Sequence, residues 1–143
     1  MEAHLGTWEY HHELADENEQ KLLDGLKIDK EMVKKFLKSK PKVKVTKVGA
    51  NIHLKMETVG GEFDTEYTIY LDGKDSVVQL PDGRKATGKY LLKDGVIRAD
   101  NMKIESVPGI SVNESIAVKD GWLKVTMVIP EENLTTVVNY KKL

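Results

Sequence analysis

A chain of 143 residues, 40% of them hydrophobic and with a net charge of −1, is long enough to bury a core of its own and too balanced for a whole-surface affinity for nucleic acid. It has no cysteine, which excludes a disulfide framework, a thiolate metal site and a cysteine nucleophile. The opening MEAHLGTWEY lacks the basic and then apolar segments of a secretory signal, and no run reaches the roughly 18–20 apolar residues that span a bilayer, so a soluble, cytoplasmic protein is expected.

LGTWEYHHEL reads as a first strand. From Glu17 the period changes: Leu22, Leu23 and Leu26, then Met32, Val33, Phe36 and Leu37, fall at helical spacing and form a narrow apolar stripe. DGLKID between the two clusters supplies a glycine break and Asp29 as a cap, so two short helices are expected across about 17–39. They end before Pro41, since the residue preceding a proline disfavours helix. Charge is uneven here: the first 26 residues are acidic, whereas Lys27 to Lys47 is strongly basic. That run is either a solvated face or a patch that meets anionic membranes.

After Pro41 alternating segments follow in quick succession, each closed by a turn signal. KVKVTKV ends at Gly49, NIHLKMETV at Gly60-Gly61, FDTEYTIYL at Asp72-Gly73, and DSVVQL at PDG. RKATGKYLL, VIRADNMKIE, ISVNESIAV and WLKVTMVI lead to the closing LTTVVNYKK. With the first strand these make ten, joined as an up-and-down meander. Ten antiparallel strands with bare edges are expected to curl into a closed or nearly closed barrel, too wide for side chains alone to fill. The predicted fold is all-β, a single ten-stranded antiparallel up-and-down barrel over residues 1–143. A helix-turn-helix lid lies between strands one and two. An insert of this length where a meander needs only a turn points to a lid over the cavity mouth, with Leu22, Leu26, Met32, Val33 and Phe36 facing inward, or to a plug of one barrel end.

Catalytic and metal chemistry find little support. Adjacent His11 and His12 point to opposite faces of a strand and cannot chelate one ion together. There is no G-x-S-x-G, and the Gly-Gly and Asp-Gly pairs sit between strands, as turns rather than phosphate loops. Aromatic content of 6%, without basic interleaving, offers no nucleic-acid platform. No enzyme activity, metal, cofactor or nucleic-acid partner is expected, and a monomer is.

The order of elements, with Gly6-Thr7-Trp8 at the start, Ser39-Lys40-Pro41 leaving the second helix, TEYTIYL (65–71), DGRK (82–85), DGWLKVTM (120–127) and a terminal NYKKL, resembles the intracellular lipid-binding proteins. This is the fatty-acid-binding and retinoid-binding group of the calycins, and the likeness runs through the whole chain. It implies a β-clam carrying a fatty acid, retinoid or related lipid under a helical portal. In typical fatty-acid binders of that family, an Arg-x-Tyr on the last strand and a second arginine on the third strand from the end clamp the carboxylate. Here Tyr140 keeps the tyrosine's place, Val138 takes the arginine's, and the second arginine falls near Ile116. The two arginines present are Arg84, in a turn, and Arg98, expected to point outward. The resemblance thus implies a neutral or atypically held ligand.

Setting Val138 and Tyr140 inward orients the neighbouring strands. Thr136 joins them, and Glu114, Ile116, Val125 and Met127 become wall residues, with Asn101 and Lys103 on the same parity. Phe63 and Tyr67 are added from the fourth strand. Glu114 is then an acid in an apolar interior, which requires a hydrogen bond, neutralisation, a lysine such as Lys103, a place near the mouth, or a bulge that turns it to solvent. Hydrogen bonds to a ligand are expected from Tyr140 and Asn101. The competing expectation is a non-carrier interaction module whose barrel is filled by side chains.

Overall fold

The computed structural model describes residues 1–11, 21, 24–80 and 83–143. The ten strands fall where the alternation places them: β1 (Gly6–Tyr10), β2 (Lys42–Val48), β3 (Asn51–Glu57), β4 (Thr65–Ile69), β5 (Asp75–Gln79), β6 (Lys85–Lys93), β7 (Val96–Ile104), β8 (Ser111–Lys119), β9 (Trp122–Ile129) and β10 (Leu134–Lys142). Residues 21, 24 and 25 are helical, and helix α1 (Lys30–Lys38) follows. The expected helix start at Glu17, the apolar Leu22 and Leu23, and His12 lie outside the described residues.

Asp29 caps α1, its carboxylate accepting from the Glu31 amide at 2.7 Å and the Met32 amide at 3.4 Å. The helix stops at Ser39, whose hydroxyl donates to the Phe36 carbonyl, and Lys40 turns the chain with φ 51° before the buried Pro41. The proline thus feeds directly into β2.

The strands form one antiparallel sheet in the order β4-β3-β2-β1-β10-β9-β8-β7-β6-β5. β1 joins β2 to β10, which curls the meander so that β4 and β5 become the facing edges. No ladder closes that seam among the described residues. Instead the Ser76 hydroxyl accepts from the Tyr70 amide at 2.9 Å, and the Thr65 hydroxyl donates to the Gln79 side chain. Side chains therefore satisfy part of the edge that backbone pairing leaves open.

The barrel floor is built from the N-terminus. A short 3-10 turn (Glu2–His4) tucks His4 inside, where its Nε2 lies 3.0 Å from the Ile116 carbonyl. The fully buried Trp8 donates from its indole to the His4 carbonyl at 3.0 Å, which explains why the glycine-threonine-tryptophan stretch is fixed in place.

Strand β7 departs from simple alternation, and this overturns one expectation. Its register against β8 shifts between Ala99 and Met102, with Asn101 in the left-handed region at φ 56°. The bulge is held by the Asn101 amide donating to the Asn113 side chain at 2.8 Å. One extra residue exchanges the faces. Met102 and Ile104 become buried, while Asn101 and Lys103 are exposed. Asn101 is thus outside the barrel, not in its wall, and Lys103 cannot pair with Glu114 from within. A matching shift between Thr87 and Tyr90 on β6 brings Gly88 against Met102; a Cβ at Gly88 would lie 2.8 Å from the Met102 Cγ. Only glycine leaves Met102 that space.

Candidate functional site

Cross-strand register assembles the inner wall in rows. Val138 pairs with Val125, Val125 with Ile116, and Ile116 with Ile97, giving a purely aliphatic band across β10, β9, β8 and β7. The adjacent row reads Thr136, Met127, Glu114, Ala99 and Tyr90. Between Glu114 and Tyr90 stands only the methyl group of Ala99. The Tyr90 phenol passes over it and donates to Glu114 Oε1 at 2.9 Å, with Met102 Sδ 3.4 Å from the phenol oxygen. Tyr140, one turn of the pleat away, packs edge-on against Tyr10 with ring centroids 5.5 Å apart.

These rows enclose a cavity of about 190 Å³. A single water needs about 10–15 Å³ measured the same way, so this is room for a ligand or several waters. Tyr140, Val138, Ile116, Glu114, Met127, Val125, Tyr67, Leu26 and Phe36 line it, as the sequence led one to expect. Thr136 is fully buried but does not line it, and its hydroxyl has no partner among the described residues. Val33 lies on α1, but its side chain falls outside what the structure describes. Met32 and Phe63 line a second recess of about 260 Å³, with Glu62, Asp64, Thr65, Gln79, Leu80 and Gly83. This recess lies between α1 and the β4–β5 seam. Phe36 and Phe63 meet edge-on at 5.6 Å, and Leu80 faces both spaces, so apolar side chains stand between cavity and recess.

The lid is tied to the barrel at a point that sequence did not reveal. Arg84, expected merely to belong to a turn, reaches across to donate from its guanidinium to the Leu26 carbonyl. That carbonyl closes the helical segment preceding α1, where backbone acceptors lack helical partners. Arg98 is exposed on β7, as expected. No lysine or arginine lines the cavity among the described residues.

The polar groups of the wall are therefore Glu114, Tyr67, Tyr140, Tyr10 and His4. Burial holds the Glu114 carboxyl above the ordinary carboxylate range, partly offset by the hydrogen bond from Tyr90. Tyr67 and Tyr90 are both pushed above the usual phenol range, first by burial and next by the Glu114 carboxyl. The two phenols are thus neutral around neutral pH, and burial favours the protonated form of Glu114. His4, Tyr10 and Tyr90 were not among the sequence candidates. Tyr90 shares parity with Ala86 and Gly88 on its strand, so alternation alone would have placed it inward.

No protein-family model matches the sequence. The chain is 25% identical over 114 residues to the liver fatty acid-binding protein of Schroederichthys bivius, covering 80% of this chain and 86% of that protein. Among solved structures, fatty-acid-binding protein 1 of Echinococcus granulosus superimposes with a TM-score of 0.79 at 23% identity, covering 100% of this chain and 99% of that one. The Schistosoma mansoni fatty acid binding protein in complex with arachidonic acid gives 0.80 at 18% identity, covering 100% and 98%. The apo form of Caenorhabditis elegans lipid binding protein 8 gives 0.80 at 14%, covering 100% and 97%. At those identities the structures speak for the fold, and the curated relative adds the sequence likeness. Taken with the helical insert, the meander order and the buried tryptophan of β1, they give this chain the fold of a ten-stranded β-clam, and its sequence is similar to that of a fatty acid-binding protein.

Proposed function

We propose that the chain is a cytoplasmic, monomeric carrier that holds a hydrophobic small molecule, a fatty acid, retinoid or related lipid, inside the barrel, and that it catalyses no reaction. The supporting observation is the cavity itself. It is walled by aliphatic and aromatic side chains under a lid formed by Leu26, Ile28 and Phe36, which is the setting in which small apolar ligands bind. A filled interaction module would have no such space. The relatives add weight, one of them solved with arachidonic acid bound. Val138 and Ile116 stand in the aliphatic row of the wall, so a ligand lying there meets no guanidinium; its head group is neutral or is held by other means. Native mass spectrometry of the purified full chain tests the proposal: a co-purifying lipid, or uptake of one by the delipidated protein at one molecule per chain, is expected. A delipidated protein that takes up no lipid would overturn it.

We further propose that the basic segment docks the portal on anionic membranes. Lys34, Lys35 and Lys38 of α1 and Lys40, Lys42 and Lys44 beyond it are all exposed, close to the mouth that Phe36 and Phe63 occupy. Each lysine near an anionic surface contributes about 1 kcal/mol of attraction, screened by salt. Lipid transfer from vesicles is expected to speed up severalfold when phosphatidylserine is included and to slow again in high salt. Transfer rates indifferent to both would rule docking out.

A further inference from the structure

Glu114 is an acid that the apolar wall does not require for its own packing. One of its oxygens, Oε1, is taken by the Tyr90 phenol at 2.9 Å. Among the described residues no side chain engages the other oxygen, and Glu114 lines the cavity. Tyr67, on β4, lines the same cavity and makes no hydrogen bond to a described residue, while its phenol feels both Glu114 and Tyr140. A carboxyl oxygen and a phenol, each without a partner among the described residues, thus face one apolar space. Polar atoms in such a place are costly unless something satisfies them.

Resting on the carrier reading above, we infer that Glu114 and Tyr67 form a receptor for the hydroxyl head group of an uncharged lipid, with Tyr90 positioning the Glu114 carboxyl. A hydroxyl both donates and accepts. It can give its proton to the open oxygen of Glu114 and accept one from Tyr67, or, when the acid proton sits on that open oxygen, accept from Glu114 and donate to the Tyr67 oxygen. A carboxylate head only accepts. Beside Glu114 it is tolerated while the acid keeps its proton and repelled once that proton is lost, with no lysine or arginine among the described residues lining the cavity to compensate. An ammonium head only donates; it must be stripped of water, and it gains a charged partner only when Glu114 gives up its proton to solvent. The other titratable groups facing this space among the described residues are Tyr10, Tyr140 and His4.

The test uses the delipidated full chain and a polarity-sensitive naphthalene dye displaced by dodecanol, dodecanoic acid or dodecylamine. Dodecanol is expected to compete about tenfold better than dodecanoic acid near pH 7, a difference of about 1.4 kcal/mol. The gap should widen as the pH is raised and Glu114 gives up its proton. In Glu114→Leu the alcohol and the acid should compete within about threefold of each other, and in Glu114→Gln the pH dependence of the acid should flatten. The inference is overturned if the acid or the amine competes best in the parent protein, or if the alcohol keeps its advantage in Glu114→Leu. Equal displacement by all three leaves the carrier reading standing and removes this one. A dye that does not bind, together with no uptake of any of the three, removes both.

Discussion

A Glu114→Gln protein is expected to be no more stable than the parent near pH 4 and progressively more stable as the pH is raised. The folded parent holds the Glu114 proton because burial disfavours the carboxylate, whereas the unfolded chain releases it at the ordinary carboxylate value near 4.5. Below that value both states are protonated, and the folded acid and the amide differ little. Above it the unfolded state binds fewer protons than the folded state. Stability therefore falls with pH, by about 1.4 kcal/mol for each pH unit, until the folded group itself ionises. Glutamine keeps an oxygen for Tyr90 and has no proton to lose, so it escapes that decline. Urea unfolding of the two proteins at about pH 4, 6 and 8 would show it. A constant difference across that range, or a parent that gains on the variant as pH rises, would mean that Glu114 is ionised and paired in the folded state.

The contrast between Glu114 and Asn101 shows what a sequence of this kind reveals about its own interior. Both were placed inward by the same alternation. For Glu114 the parity holds, because β8 and β9 pair without interruption from Asn113 to Lys119. For Asn101 it fails, because a single left-handed residue on β7 inverts everything beyond Ala99. Turns announce themselves through glycine and aspartate, whereas a bulge inside a strand leaves only an asparagine, which is common elsewhere. Contacts across strands are harder still. That Tyr90 is the partner of Glu114 depends on two registers and on the small size of the residue between them, none of which is local. The tie from Arg84 to Leu26 spans 58 positions and joins a turn to a helix end, so no periodicity could point to it. By contrast the strands themselves, the cap at Asp29 and the aliphatic row through Val138 follow from period, turn chemistry and pairing order, which neighbouring residues determine.

Ala99→Leu is expected to cost about 2–4 kcal/mol, and its size should depend on what stands at Glu114. Ala99 is buried and occupies the point over which the Tyr90 phenol crosses to Glu114. Overfilling a packed position costs about 1–3 kcal/mol. Pushing the phenol aside also breaks the hydrogen bond and strands a buried acid, adding about 1 kcal/mol or more. With roughly 3–5 °C of melting temperature per kcal/mol for a domain of this size, calorimetry resolves the loss easily. In a Glu114→Ala background the larger side chain has room, and no acid is left without a partner, so the same substitution should cost at least about 1 kcal/mol less. If the two costs simply add, the row does not act as a unit. The smallness of Ala99 would then be ordinary packing rather than the condition that lets Tyr90 hold one oxygen of Glu114 and leave the other to the cavity.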